Sequence, residues 1–274
     1  DVGSRTYTYI STLGEVLTAA AKAKKPVWVL DRPNPLGGLR FEGPLREEKW
    51  KSFIGWGPLP VSHGMTVAEI ARFFQKELAL DVELHVVPLR GWRRAMVFED
   101  TGLSWVPTSP HIPHALSAHL YIATGMIGGI AKNVNEGVGS TLPFETLAAE
   151  FVDARAFQAA LESAALPGVS FRETHYTPRY GKFKDLPLHG VQLHLTDPHE
   201  FRPVRTALTA LCVLQRMYGD ELELGDERTL GIHWGTLSVF DALRAGKSAA
   251  EIEAGWSADL ARFAERRAAC LLYE

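Results

Sequence analysis

Apolar positions along the chain fall into two rhythms. Between residues 7 and 23, Ile10, Leu13, Val16, Leu17 and Ala20 recur at helical spacing, which predicts a helix. After Pro26 the run VWVL (residues 27–30) is short and wholly apolar, the pattern of a strand buried on both faces. A glycine- and proline-rich loop, DRPNPLGGLRFEGPL, follows. MTVAEIARFFQKELAL then predicts a second helix, with Thr66 as cap and Glu69 three residues on in a capping-box pattern. DVELHVVPL alternates and predicts the next strand. Strand, loop, helix and strand together predict a mostly parallel α/β sheet.

From residue 101 to 143 the pattern is loop-rich, with one helix expected over 114–123. Beyond it the spacing predicts a helix over 153–164, strands over 168–176 and 189–197, a helix over 204–218 and a long amphipathic helix within 248–274. This second block predicts a smaller C-terminal α/β domain, and the change of pattern places a boundary near 145, giving domains 1–145 and 146–274. The opening DVGSR reads as the end of a strand-to-helix turn, with Gly3 for the tight backbone and Ser4 or Thr6 as cap. The strand such a turn needs is expected in front of Asp1.

Composition narrows the chemistry. In 274 residues, 46% are hydrophobic, ample for a sizeable core, and the formal net charge of −3 gives no broad reason to expect nucleic acid or an anionic membrane surface as partner. RGWRR (90–94) is the only tight basic cluster and reads as a solvated strand end. No apolar run reaches membrane-spanning length. Cys212 and Cys270 lie far apart in helix-like runs and read as buried small hydrophobes. There is no metal-ligand spacing, GxSxG elbow, Walker loop or GxGxxG, so neither a metal nor a cofactor is expected.

Polar residues cluster where α/β sheets gather ligands, beyond the carboxyl ends of strands. Asp1 with Arg5 is the first cluster; Asp31, Arg32 and Asn34 follow VWVL; His63 stands just before a helix cap. Each has a structural alternative: the aspartates as turn caps, Arg32 as the partner of Asp31, His63 bonded to backbone. Three such clusters on one rim favour a pocket. In the loop NVNEGVGST, Glu136 stands among Asn133, Asn135 and Thr141, beside glycines that let backbone pass close to a ligand. His194 and Gln192 share one face of the 189–197 strand, with His189 on the other.

The segments DVGSRTYTYI, VLDRPNPLGG, EGP, PLPVSHGMTVAEIA, SPHIP, NEGVGSTLPFE, PGVSFRETHYTP and HGVQLHLTD occur in the order and spacing of the YbbC-like family. The chain resembles that family, which includes the NamZ-type exo-β-N-acetylmuramidases, along its whole length. The resemblance implies a Rossmann-like, mostly parallel sheet, here without its first βα units, and a smaller C-terminal α/β domain. It implies a glycoside hydrolase, secreted or periplasmic, that releases terminal N-acetylmuramic acid from peptidoglycan fragments during cell wall recycling. The partner is then a peptidoglycan-derived saccharide, bound by Asp1, Arg5, Asp31, Arg32, Asn34, His63 and His194. Arg5 or Arg32 would meet the lactyl carboxylate in bidentate fashion. Glu136 is the candidate second carboxylate. Tyr121 would orient the sugar or stabilise developing positive charge, unless it is a core aromatic. The family's GPEHG segment, its best candidate for the catalytic acid, does not occur in residues 1–274. Val138 stands where the family usually has arginine, Ile122 where it has proline, and AAEF where it has a GAPW-like turn. These departures bear on substrate identity. A non-catalytic carbohydrate-binding protein, or a hydrolase of another substrate on the same scaffold, are the alternatives.

Overall fold

The computed structural model describes all 274 residues. In chain order it contains α1 (Tyr9–Ala23), β1 (Val27–Leu30), α2 (Val67–Glu77), β2 (Leu84–Val87), α3 (Ala115–Gly128), β3 (Thr146–Ala149) and α4 (Ala154–Glu162). There follow β4 (Val169–Tyr176), β5 (Leu188–Leu195), α5 (Pro203–Tyr218), α6 (Glu227–Trp234), α7 (Ser238–Arg244), α8 (Ala249–Ala254) and α9 (Ser257–Ala268). The chain folds as two compact units, Asp1–Leu103 with Trp256–Glu274, and Ser104–Gly255. The division therefore falls at Leu103 rather than near residue 145. The reason lies in the packing: α3 packs on α5 and Asn135 bridges to Ala148 of β3, so residues 104–145 go with the second unit, while Phe263 of α9 joins the core of the first. No helix is long and apolar enough to cross a membrane.

In the first unit β1 and β2 pair in parallel, Val27 opposite Leu84 through Leu30 opposite Val87, with α2 between them in sequence. Ile70, Phe73 and Phe74 of α2 lie at i, i+3 and i+4. They are buried with Ile10 and Leu17 of α1, Val29 of β1, Met65, and Phe263 of α9. Each such side chain contributes about 1.5–3 kcal/mol by leaving water. VWVL departs from its expected burial on both faces. Val29 faces the core, but Trp28 and Leu30 are 63% and 69% exposed, because the α1–α2 layer covers one face only. Trp28 is instead stacked on its strand partner His85.

The capping box at Thr66 and Glu69 forms as the sequence predicts: Glu69 N–H donates to Thr66 Oγ1, and Thr66 N–H donates to Glu69 Oε2. Glu69 carries more than the cap. Its Oε1 accepts from Arg94 Nη1 at 2.6 Å and from the Leu272 N–H at 2.9 Å. Arg94 in turn donates to the carbonyls of Gly38 and Gly64, which Arg267 of α9 also reaches. One buried carboxylate thus ties α2, the loop after β1, the segment after β2 and the C-terminal tail.

The second unit is built on an antiparallel sheet of order β3-β5-β4. Leu147, Val169, Phe171, Val191 and Leu193 share its buried face, against which α3 and α4 pack, with α5 packed on both helices. The opposite face carries Thr146, Arg172, Tyr176, Gln192 and His194. The sequence reading missed β3, whose four residues show no alternation because all are buried. It also missed α6 and α7, and it joined α8 and α9 into one helix. Gly255 ends α8, its N–H turning back to Ile252 O, and the chain restarts at Ser257.

Removing Glu69 leaves the Arg94 guanidinium buried without its counter-charge. Glu69→Ala is expected to lower unfolding stability by about 3–5 kcal/mol, read by denaturant unfolding against the unsubstituted chain. A loss below about 1 kcal/mol would show that the carboxylate is replaceable by water.

Candidate functional site

In the first unit the expected rim residues are present, but most are committed to the fold. Arg5 is fully buried, and its Nη1 donates to the Pro44 and Leu59 carbonyls at 3.0 and 2.9 Å. Burial, with Arg46 nearby, pulls its pKa down to about 9. A guanidinium so enclosed is not presented to a ligand carboxylate, which corrects the expectation for Arg5. Asp31 Oδ1 accepts from the N–H groups of Arg32 and Ala68, and Oδ2 from Tyr273 Oη at 2.6 Å, so it ties the start of α2 to the tail. Asn34 closes an Asx turn to Leu36 N–H and donates to Met65 O. These two also serve the loop architecture.

His63 is fully buried. Its Nδ1 accepts from Met65 N–H, and Nε2 approaches Asp1 Oδ2 to 3.2 Å without an aligned hydrogen bond. Burial, with Arg267 nearby, holds its pKa well below the ordinary histidine range, so the ring is neutral. Arg32 is exposed. Of the first unit's candidates, Arg32 alone offers a cation to solvent.

The second unit assembles a tighter constellation around Glu136. Asn135 is pinned to β3 by a pair of backbone hydrogen bonds with Ala148. Its Oδ1 accepts from Gly137 N–H at 2.8 Å and from Tyr176 Oη at 2.6 Å, and its Nδ2 donates to Val138 O. Tyr176, on β4, also shares a 2.9 Å hydrogen bond with Thr146 Oγ1 on β3. The Glu136 carbonyl accepts from Phe144 N–H at 2.7 Å. Glu136 is thus held on both sides. Gly137, at φ 91°, has no room for a side chain: a Cβ would lie 2.1 Å from Leu142 O. Here the glycine is a requirement of the loop.

The Glu136 carboxyl itself lies against the last turn of α3, where a Cβ added at Gly128 would meet Oε2 at 2.3 Å. Burial raises its pKa above the ordinary glutamate range; a hydrogen bond from its own backbone N–H and the nearby Lys182 only partly offset this. The negative end of the α3 dipole acts in the same direction as burial. A carboxyl that keeps its proton at higher pH suits general-acid work. Burial also pushes the Tyr176 phenol up to about 12, Glu136 adding to the effect, so it stays a neutral donor. Gly128 opens on a cavity of about 290 Å³ whose wall includes Gly129, Lys132, Lys182, Gly225 and Thr229.

Tyr121, also proposed from the sequence, is half-buried on α3, its ring edge-on to Phe144 at 4.8 Å. This aromatic pairing favours the core reading over sugar contact. His194 is exposed on the outward face of β5, opposite Ser170. Sequence reasoning missed Tyr176 and Thr146. Tyr176 lies 41 residues from Asn135, and only the pairing of β4 with β5 and β5 with β3 brings them together. No group of three or more His, Cys, Asp or Glu side chains is placed to hold a metal ion.

Family models described as the N-terminal and C-terminal parts of the exo-β-N-acetylmuramidase NamZ match residues 1–116 and 119–273. The chain is similar to the peptidoglycan β-N-acetylmuramidase NamZ of Bacillus subtilis (strain 168), 38% identical over 273 residues. That match covers 100% of this chain and 66% of the relative, so the chain spans just under two thirds of its length. Two DUF1343 family crystal structures from Bacteroides fragilis NCTC 9343 are also similar. One has a TM-score of 0.93 at 34% identity, the other 0.80 at 27%; each match covers 100% of this chain and 73% of the solved one.

The clamp on Asn135 can be tested without chemistry. Tyr176→Phe removes the donor to Oδ1 and is expected to lower stability by about 1 kcal/mol, with faster amide hydrogen exchange at Gly137 and its neighbours. Unchanged exchange in that loop would show that Tyr176 does not hold it.

Proposed function

The chain belongs to the NamZ family of exo-β-N-acetylmuramidases, and from that premise we propose that its protein hydrolyses the glycosidic bond of a terminal N-acetylmuramic acid in peptidoglycan fragments, with Glu136 as one of the reacting carboxyl groups. The observation that carries this reading is the state of Glu136. It is a half-buried carboxyl, raised in pKa, fixed by its loop at both neighbours and set against Gly128, which itself lines a cavity. Glycoside hydrolysis needs such a group to protonate the leaving oxygen or to activate water, opposite a second carboxyl. For that second carboxyl we propose the glutamate of the family's GPEHG segment, a segment that does not occur in residues 1–274. Asp1, Asp31, Arg32, Asn34, His63 and His194 remain candidates for saccharide contact, Arg32 and His194 being the exposed ones. The substrate's polymer lies outside the cytoplasm, which supports a secreted or periplasmic protein engaged in cell wall recycling.

A binding protein without turnover is the second reading, favoured by one feature. Val138 takes the position of the family's usual arginine, and its carbonyl serves the Asn135 clamp.

Activity separates the two. Full-length protein is expected to release chromophore from a chromogenic N-acetylmuramide, and Glu136→Gln to lower kcat by about 10²-fold or more, the fold remaining intact by circular dichroism. Tyr121→Phe is expected to cost less. Binding of the sugar without hydrolysis by the unsubstituted protein would select the second reading; an unchanged kcat in Glu136→Gln would remove Glu136 from the chemistry.

A further inference from the structure

Two cavities of the second unit meet at a pair of lysines. The first, of about 290 Å³, has backbone walls at Gly128, Gly129 and Gly225. The second, of about 370 Å³, is lined by Phe151, Phe183, Leu186 and Leu188, with Glu150 and Glu223 at its polar side. Lys132 and Lys182 line both. Neither ammonium is engaged in an ion pair. Lys132 is felt by Asp226, and Lys182 by Glu136, only as background charge. Asp226 is already used as the cap of α6, its Oδ1 accepting from Thr229 N–H. Lys182 is further steadied over the Phe183 ring, 4.9 Å from its centroid.

Two unpaired cations at the junction of two cavities are complementary to one anionic group. We propose that Lys132 and Lys182 form a carboxylate subsite, in which the lactyl acid of an N-acetylmuramic acid sits between the two ammonium groups with its ring in the glycine-walled cavity beside Glu136. The assignment rests on the muramidase reading above for the identity of the sugar, and it gives the lactyl group the partner that buried Arg5 does not supply. Glycine walls suit a sugar ring because no side chain keeps its hydroxyls from the backbone, although the N–H groups of Gly129 and Gly225 already donate to Gly125 O and Ile130 O. A Cβ at Gly129 would lie 2.7 Å from His233 Nε2, so that stretch of wall has no room for a side chain. Glu150 and Glu223 repel an acid from the far cavity and direct it to the junction. Phe151 and Leu186 there accept the less polar remainder of the ligand.

The test compares sugars that differ only in the lactyl acid. With full-length protein, Lys132→Met and Lys182→Met are each expected to lower the kcat/KM preference for a chromogenic N-acetylmuramide over the matching N-acetylglucosaminide by about tenfold, the loss falling mainly in KM. Arginine at either position is expected to restore part of the preference. An unchanged preference in both methionine variants overturns the subsite. Calorimetric titration with free N-acetylmuramic acid and N-acetylglucosamine keeps this independent of turnover. If the unsubstituted protein hydrolyses neither substrate, the muramidase reading fails, while tighter binding of N-acetylmuramic acid that is lost in both lysine variants still supports the subsite. Equal affinity for the two sugars overturns it.

Discussion

A polar group taken out of water must find its full set of partners inside the protein, and this constraint organises both units. In the first, the group is the Glu69 carboxylate. Its two oxygens accept from Thr66, Arg94 and Leu272, so a single side chain fixes the start of α2, the segment after β2 and the tail beyond α9. In the second, the group is the Asn135 amide, which takes Gly137 N–H and Tyr176 Oη on its oxygen and gives its N–H to Val138 O. Each is costly to leave half-satisfied, by about 1–3 kcal/mol for a neutral group and more for a charge. Each therefore specifies one arrangement of the chain segments around it.

Glu136 is the exception that gives the second unit its chemical interest. The Asn135 clamp and the Phe144 hydrogen bond hold its backbone, yet its carboxyl lies against the end of α3 with only Lys182 as a nearby cation. The side chain that would have to move a proton takes a hydrogen bond from its own backbone N–H and no ion pair. The neighbouring lysines, free of ion pairs and set where two cavities join, continue the same logic with opposite sign. A site for an anionic sugar needs a carboxyl that retains its proton and cations left without protein partners.

Much of the first unit was legible in the sequence because its signals are local. Thr66 and Glu69 are three residues apart, and α1 and α2 show their apolar stripes plainly. The exposure of Trp28 and Leu30 was not legible, since an apolar run carries no record of which face the helices cover. Arg5 was misread for a related reason. Its two carbonyl partners, at Pro44 and Leu59, are distant in sequence, and an arginine near a turn looks the same whether buried or free. In the second unit β4, β5, α4 and α5 could be read from their periodicity, whereas β3 had no alternation to show. Glu136 could be singled out from its glycines. Tyr176, Thr146 and the lysine pair could not, because their relation to Glu136 exists only through the sheet register and the fold of the loops.

The most direct test of this account is the proton affinity of Glu136. Carbon-13 NMR titration of the glutamate side-chain carboxyls, with Glu136→Gln used to assign the resonance, reads it without substrate. The account predicts a midpoint clearly above the ordinary glutamate value of about 4.3, since burial favours the neutral acid: the proton should stay on Glu136 as pH rises past the point where exposed glutamates have ionised. A midpoint at or below the ordinary value would show a hydrated or ion-paired carboxylate, and would contradict the assignment of Glu136 as the proton-carrying group of the site.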